Sequence, residues 1–195
     1  DEAFWCGTVA TIHDAEGIGL LIDALAILRA GGTDARALVV GDGPGLAAVR
    51  ERAQQLAVPL VSPGRVPHAS VTDYYDALDV FAYPRADVPL NRDVTGLKPL
   101  EAQARARPVV GSDLPAVLEV LAPGSPVVPA GDAQALAAAL ASLRESDVRR
   151  ALGEESHAWV AANRVWPSVV GRYATAYAAL GVPALGEAPS GPHSG

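Results

Sequence analysis

The chain contains no methionine, one lysine, one cysteine and two phenylalanines among its 195 residues. A single cysteine, Cys6, excludes an intrachain disulfide framework. Four scattered histidines and that one thiol cannot supply the spacing of a metal cluster. No apolar run reaches the ~18 residues that begin to span a bilayer, and no charged stretch leads into an apolar one as in a signal peptide. Acidic residues outnumber basic ones by 22 to 15, for a formal net charge of −7, without a run of Lys and Arg. That balance argues against a nucleic-acid binder. Charged residues make up only 19%, and half the chain is hydrophobic, which excludes a disordered polyelectrolyte. The start at Asp1, without any Met in the chain, reads as a processed product or an excised piece of something longer.

What is present alternates between two kinds of segment. Short unbroken apolar runs at 3–10, 37–40, 59–64, 79–84, 108–112 and 126–129 read as strands buried on both faces. Between them lie helix-sized segments. In 16–30 the residues Ile18, Leu21, Ile22, Leu25 and Leu28 recur at the 3–4 spacing of one helical face, and Gly31-Gly32 stops the run. Further helices are expected through Ala57, near 69–77, over 96–106 and 114–121, and near 132–144, 147–162 and 166–180. The stretch from Arg85 to about Thr95 reads as a polar loop. The pattern predicts one α/β domain over residues 1–185, a doubly wound parallel six-stranded sheet in the order 3-2-1-4-5-6 with helices on both faces. The Pro/Gly/Ser-rich tail, 186–195, is expected to be disordered.

Ligands of such sheets bind at the carboxyl ends of the strands, beside the switch point. One loop there, GDGPG at 41–45, is not a dinucleotide fingerprint: its glycine spacing is wrong, it follows the second strand, and no acidic residue stands about 20 positions on. It reads as a turn in which Gly43 can allow a close backbone approach. The segment 83–101, YPRADVPLNRDVTGLKPLE, is richer. It gathers Arg85, Arg92 and Asp93 ahead of a helix expected to begin near Gly96, with Lys98 and Glu101 inside that helix. Cations beside a helix N-terminus suit a phosphorylated ligand, and two carboxylates suit sugar or ribose hydroxyls. Lys98 is the one lysine in a chain whose other 14 strong cations are Arg, which marks it for a compact ammonium. Cys6 reads as a core thiol. Trp5, Trp159 and Trp166 read as packing residues, His13 as an exposed loop residue also placed to face a ligand, His68 as part of a helix start and His157 as part of an exposed helical face.

The run GLKPLEAQARARPVVGSD, preceded by YPR, resembles the signature of glycosyltransferase family 4, and the likeness extends from about Phe4 to Leu180. It takes in EGIGLLIDALAIL, VVGDGPGL, SPGRV, DYYDALDVFAYP, SDLPAVLE and the spacing of Trp166, Tyr173 and Tyr177. The resemblance implies one half of a GT-B enzyme: the domain that binds the nucleoside-diphosphate sugar of a retaining transferase, in a branch tied to polysaccharide synthesis. It implies that Glu101 bonds the donor ribose and that Asp93 sits beside the transferred sugar, with Asp93 and Lys98 as the catalytic pair. Backbone around Thr95, Gly96 and Leu97 would meet sugar and diphosphate, Gly64, Arg65 and Val66 would lie against the base, and Gly43 would admit the nucleotide.

The family's diphosphate-gripping Arg and Lys positions are occupied here by Thr8 and Glu16, which leaves Arg85, Arg92 and Lys98 as the candidate cations. No metal or other cofactor is implied. The implied partners are the nucleotide sugar and an N-terminal acceptor-binding half, without nucleic acid or a membrane-spanning segment. The implied location is the cytoplasm, with peripheral contact at the inner face of the membrane as the alternative. The isolated half would transfer no sugar. Two other readings fit the same residues: half of a non-hydrolysing sugar-nucleotide epimerase, and a nucleotide-sugar-binding module without transfer.

Overall fold

The computed structural model describes residues 3–180. Six parallel strands form one sheet: β1 (Phe4–Val9), β2 (Ala35–Val40), β3 (Leu60–Gly64), β4 (Val80–Tyr83), β5 (Val109–Ser112) and β6 (Val127–Val128). Their order across the sheet is β3-β2-β1-β4-β5-β6, the order predicted. β1 and β2 are in full register from Phe4 opposite Ala35 to Val9 opposite Val40. The pairing of β2 with β3 shifts between Leu38 and Val40.

The connecting helices are α1 (Ile18–Ala30), α2 (Leu46–Gln55), α3 (Val71–Asp76), α4 (Pro89–Asp93), α5 (Lys98–Ala104) and α6 (Pro115–Leu118), followed by α7 (Ala133–Ser142), α8 (Ser146–Asn163) and α9 (Trp166–Ala179). Side chains alternate along each strand, so the sheet divides the core in two. On one face Cys6, Ala37, Val39, Val80 and Ala82 pack with α1, α2 and α7 through Leu21, Leu25, Val49 and Leu136. On the other, Leu38, Val40, Phe81 and Tyr83 pack with α3, α5 and α6 through Tyr75, Ala102 and Val117. Burial on both faces explains why these strands read as unbroken apolar runs.

Local chemistry sets several boundaries. The Asp132 carboxylate accepts from the Ala135 N–H at 2.9 Å and caps α7. The expected loop after β4 contains α4, a departure with a clear cause. Pro89 occupies the first turn, where its missing N–H costs nothing, after an extended Val88. The helix expected over 96–106 is shorter and starts at Lys98. The tail at 186–195 and the domain boundary at 185 lie outside the described residues.

Candidate functional site

A cavity of about 410 Å³ opens at the carboxyl ends of β1, β2 and β3, and its walls include Thr11, Asp42, Gly43, Arg65, Val66 and Lys98. Five of these come from the turns after the three strands. Lys98 comes from beyond β4, on the other side of the switch point, so the cavity spans the place where ligands bind in such sheets.

The glycines of GDGPG have a specific job. A Cβ on Gly41, whose φ is +129°, would lie 1.8 Å from the Ala10 carbonyl oxygen, and one on Gly43 would lie 2.2 Å from that of Ile12. Bare backbone lets the turn after β2 press against the chain leaving β1. The Ile12 N–H donates to the Asp42 carbonyl at 2.9 Å, and the Gly45 N–H donates to the Ile12 carbonyl at 3.0 Å. Gly43 thus admits the Ile12 backbone on one side and also faces the cavity.

Behind Lys98 stands a chain of polar contacts. The Lys98 ammonium lies 3.0 and 3.1 Å from the two carboxylate oxygens of Glu101, one turn on in α5. The Tyr75 hydroxyl, on α3, donates to Glu101 Oε2 at 2.7 Å. Glu101 is 38% exposed, so it remains open to a ligand beside Lys98. Burial first, and then the Glu101 carboxylate, push the Tyr75 phenol well above its ordinary value, so it stays protonated and donates.

The remaining expected site residues are more dispersed. Thr95, Gly96 and Leu97 form the turn before α5, and Thr95 and Leu97 are exposed. A Cβ on Gly96 would lie 2.1 Å from the Tyr83 hydroxyl, so glycine lets this turn sit on the end of β4. With α5 starting at Lys98 and Pro99 lacking an N–H, fewer free amides face the crevice than a start at Gly96 would offer. Asp93 is exposed at the end of α4, on a different helix from Glu101. Gly64 ends β3 with φ +81° and leads into Arg65.

The nominated cations separate clearly. Arg85 is buried at 7% exposure, donates to Glu16 at 2.9 Å and lies 5.3 Å from the centre of the Tyr83 ring. The acid at a family lysine position and this arginine therefore form an internal ion pair. Arg92 is exposed and donates to Asp87 at 2.6 Å. Of Arg85, Arg92 and Lys98, Lys98 alone lines the cavity, and Arg65 is a second cation there. Arg65 was expected from the glycine loop after the third strand. Sequence pattern alone does not mark Thr11, Asp42 or Tyr75 as a site residue, although Asp42 stands inside the GDGPG motif.

Other residues match bulk roles. Burial pushes the Cys6 thiol up, as suits an inert core residue. His13 lies 3.4 Å from Glu16, and His157 pairs with the Ala104 carbonyl at 2.8 Å. Trp166 departs from the packing role expected of it: it is 80% exposed, at the start of α9. Among the described residues, no three of His, Cys, Asp and Glu gather as a metal site, and no helix is long and apolar enough to cross a membrane.

Sheet order and the cavity at its switch point define a Rossmann-like domain. Residues 3–146 match the family described as Glycosyl transferases group 1, and the chain belongs to that family. A phosphatidyl-myo-inositol mannosyltransferase of Mycolicibacterium smegmatis is 36% identical over 138 residues, which is 70% of this chain and 34% of the relative. The lipopolysaccharide core biosynthesis mannosyltransferase LpsB of Rhizobium meliloti is 31% identical over 156 residues, 74% of this chain and 42% of the relative. The fold is that of Anabaena HepE, solved in complex with UDP, at TM-score 0.78 and 18% identity over 91% of this chain and 49% of that one. The C-terminal domain of the group 1 glycosyl transferase LpcC from Francisella tularensis is also alike, at TM-score 0.71 and 19% identity, over 84% of this chain and 87% of that one. The chain spans about a third of the length of the first two curated relatives.

Proposed function

We propose that this chain is the donor-binding half of a retaining glycosyltransferase that uses a nucleoside-diphosphate sugar and transfers the sugar to a glycan, lipid or small-molecule acceptor. The observation that carries the reading is the convergence of Gly43, Arg65, Val66 and Lys98 on one cavity at the switch point of the sheet. A diphosphate leaving group gathers negative charge as the glycosidic bond breaks, and fixed cations in a crevice stabilise that charge. In this reading Lys98 and Arg65 supply those cations. Glu101, beside Lys98, offers carboxylate oxygens to ribose hydroxyls, Asp93 is assigned to the sugar, and the Gly64–Val66 turn to the base. Support also comes from the UDP complex of HepE and from LpcC, whose C-terminal domain alone matches most of this chain. In this reading an acceptor-binding half completes the cleft, and transfer takes place in the cytoplasm.

The test is a thermal-shift screen of UDP, GDP, ADP and their sugars, followed by calorimetry. A ligand at a hundredfold excess over its Kd stabilises the fold by about 2.7 kcal/mol, a shift that is easily read. Stabilisation by one nucleoside diphosphate, weakened by Lys98→Ala, is the expected result. A flat response to all of them overturns the reading. A second reading, a module that binds nucleotide sugar without transfer, draws on the Glu16–Arg85 pair, which neutralises a family cation position. Turnover by the chain together with its acceptor half distinguishes the two.

A further inference from the structure

We infer that Tyr75 is a positioning residue for the nucleotide, setting the Glu101 carboxylate from inside the core so that its free oxygen lone pairs face the ribose. The inference rests on the donor-site reading and deepens it. Tyr75 is 2% exposed, and its ring packs in the cluster beneath the sheet, 5.7 Å from the Phe81 ring. A buried phenol needs a partner for its O–H, and this one finds Glu101 Oε2 at 2.7 Å, across 26 residues of chain.

The geometry fixes one end of a carboxylate that is otherwise attached to a flexible side chain in the first turn of a short helix. Glu101 has three rotatable torsions, and its other close contact is Lys98, whose long stem is equally free and whose side chain is 40% exposed. Among the described residues, the rigid aromatic ring is thus the contact that ties the Glu101 carboxylate to a fixed part of the molecule. Holding an acceptor in its bound orientation beforehand reduces the ordering cost of binding. Lys98 can then turn towards a diphosphate without releasing the carboxylate, because the Tyr75 hydroxyl still holds Oε2.

Because Tyr75 acts through Glu101, removing its hydroxyl should weaken only those ligands that use Glu101. The experiment measures the affinity of UDP, GDP and ADP, each beside the dideoxyribose form that lacks both ring hydroxyls. The proteins are wild type, Tyr75→Phe, Glu101→Ala and the double variant. Tyr75→Phe keeps the ring and its packing. The expected result is a loss of about tenfold for the ribonucleotide that binds, the scale of one charge-assisted hydrogen bond, with no loss for the dideoxy form. In the Glu101→Ala background the same change should do nothing. An equal loss for both ligand forms, an undiminished loss without Glu101, or a Tyr75→Phe chain that fails to fold would each overturn the inference, because each assigns the hydroxyl to the fold rather than to the carboxylate. If no nucleoside diphosphate binds wild type, the donor-site reading itself fails and takes the inference with it. If wild type binds and Tyr75→Phe binds equally well, the inference alone fails.

Discussion

Lys98 is the residue on which the proposed donor site turns. It faces the cavity, pairs with Glu101 and is the only lysine in the chain. Its ion pair with Glu101 is a half-exposed contact one turn apart, worth about 0.2–1 kcal/mol, so Lys98→Ala should leave thermal stability almost unchanged. Nucleoside diphosphate affinity, in contrast, should fall about tenfold or more, since a charged hydrogen bond is worth about 1.5–3 kcal/mol. Affinity for the free nucleoside should hold, and parallel calorimetric titrations of both ligands check this. Glu101→Ala should show the complementary pattern, weakening every ribose-bearing ligand, nucleoside included, by a similar amount. Lys98 was legible as a candidate because one Lys among 14 Arg is a compositional anomaly. The fate of Arg85 was not legible. Its partner Glu16 is 69 positions away, and no local pattern announces a contact that the sheet topology creates.

At the scale of elements, two loops on either side of the switch point are fastened together. The Ala86 N–H donates to the Ala15 carbonyl at 3.0 Å, and the buried Asn91 amide donates to the carbonyls of Ala15 and Ala86 at 2.7 and 2.8 Å. Arg85 adds its pair with Glu16. Gly17 sits at the centre, with φ +67° and an implied Cβ only 1.8 Å from the Pro84 carbonyl oxygen. Gly17→Ala therefore imposes a left-handed conformation on an L-residue, about 1–3 kcal/mol, and also forces the two loops apart. A fall in Tm of at least about 2 °C is expected for a domain of this size, read by calorimetric melting. A smaller change would mean that the loops part easily. The strands and long helices could be read from periodicity, because two-sided burial leaves unbroken apolar runs and one-sided burial leaves the 3–4 repeat. The short helix α4 could not. Its five residues are fewer than two helical turns, so no repeat accumulates, and Pro89 reads locally as a loop residue.

On the scale of the whole molecule, charge is held mainly in exposed Arg–Asp pairs. The guanidinium of Arg36 bonds Asp34 and holds its carboxyl below the usual value of 3.8, Arg105 does the same for Asp76, and Arg92 for Asp87. A carboxylate whose pKa is lower in the folded state contributes stability above its unfolded pKa and loses it as the pH falls through the folded value. Melting temperature should thus be nearly level from neutral pH to about pH 5 and fall below about pH 4. In Arg36→Ala the larger part of one of these contributions is gone, with Arg29 still bonding Asp34 at 3.2 Å, so the acid-induced fall should be shallower; an identical fall would mean that the Arg36–Asp34 pair contributes nothing. Along α9, Trp166, Val170, Tyr173 and Tyr177 are all more than half exposed, and they recur at helical spacing along one face. The period of this helix was legible, but which of its faces would be covered was not, because a single chain's pattern does not say what lies opposite.

The two rims of the sheet have a consequence for colloidal behaviour. At one rim, Pro63 removes an N–H from β3, and Arg50 occupies both the carbonyl and the hydroxyl of Ser62 at 2.9 Å. At the other, β6 is only two residues long. Neither rim offers the long row of unpaired amides and carbonyls on which a foreign strand can template itself. Fibril growth should therefore require opened chains, with its rate following the unfolded fraction as temperature or urea is raised and becoming negligible where the fold is intact. Thioflavin fluorescence recorded alongside a melting curve tests this, since growth well below the transition would mean that one rim is stickier than its chemistry implies.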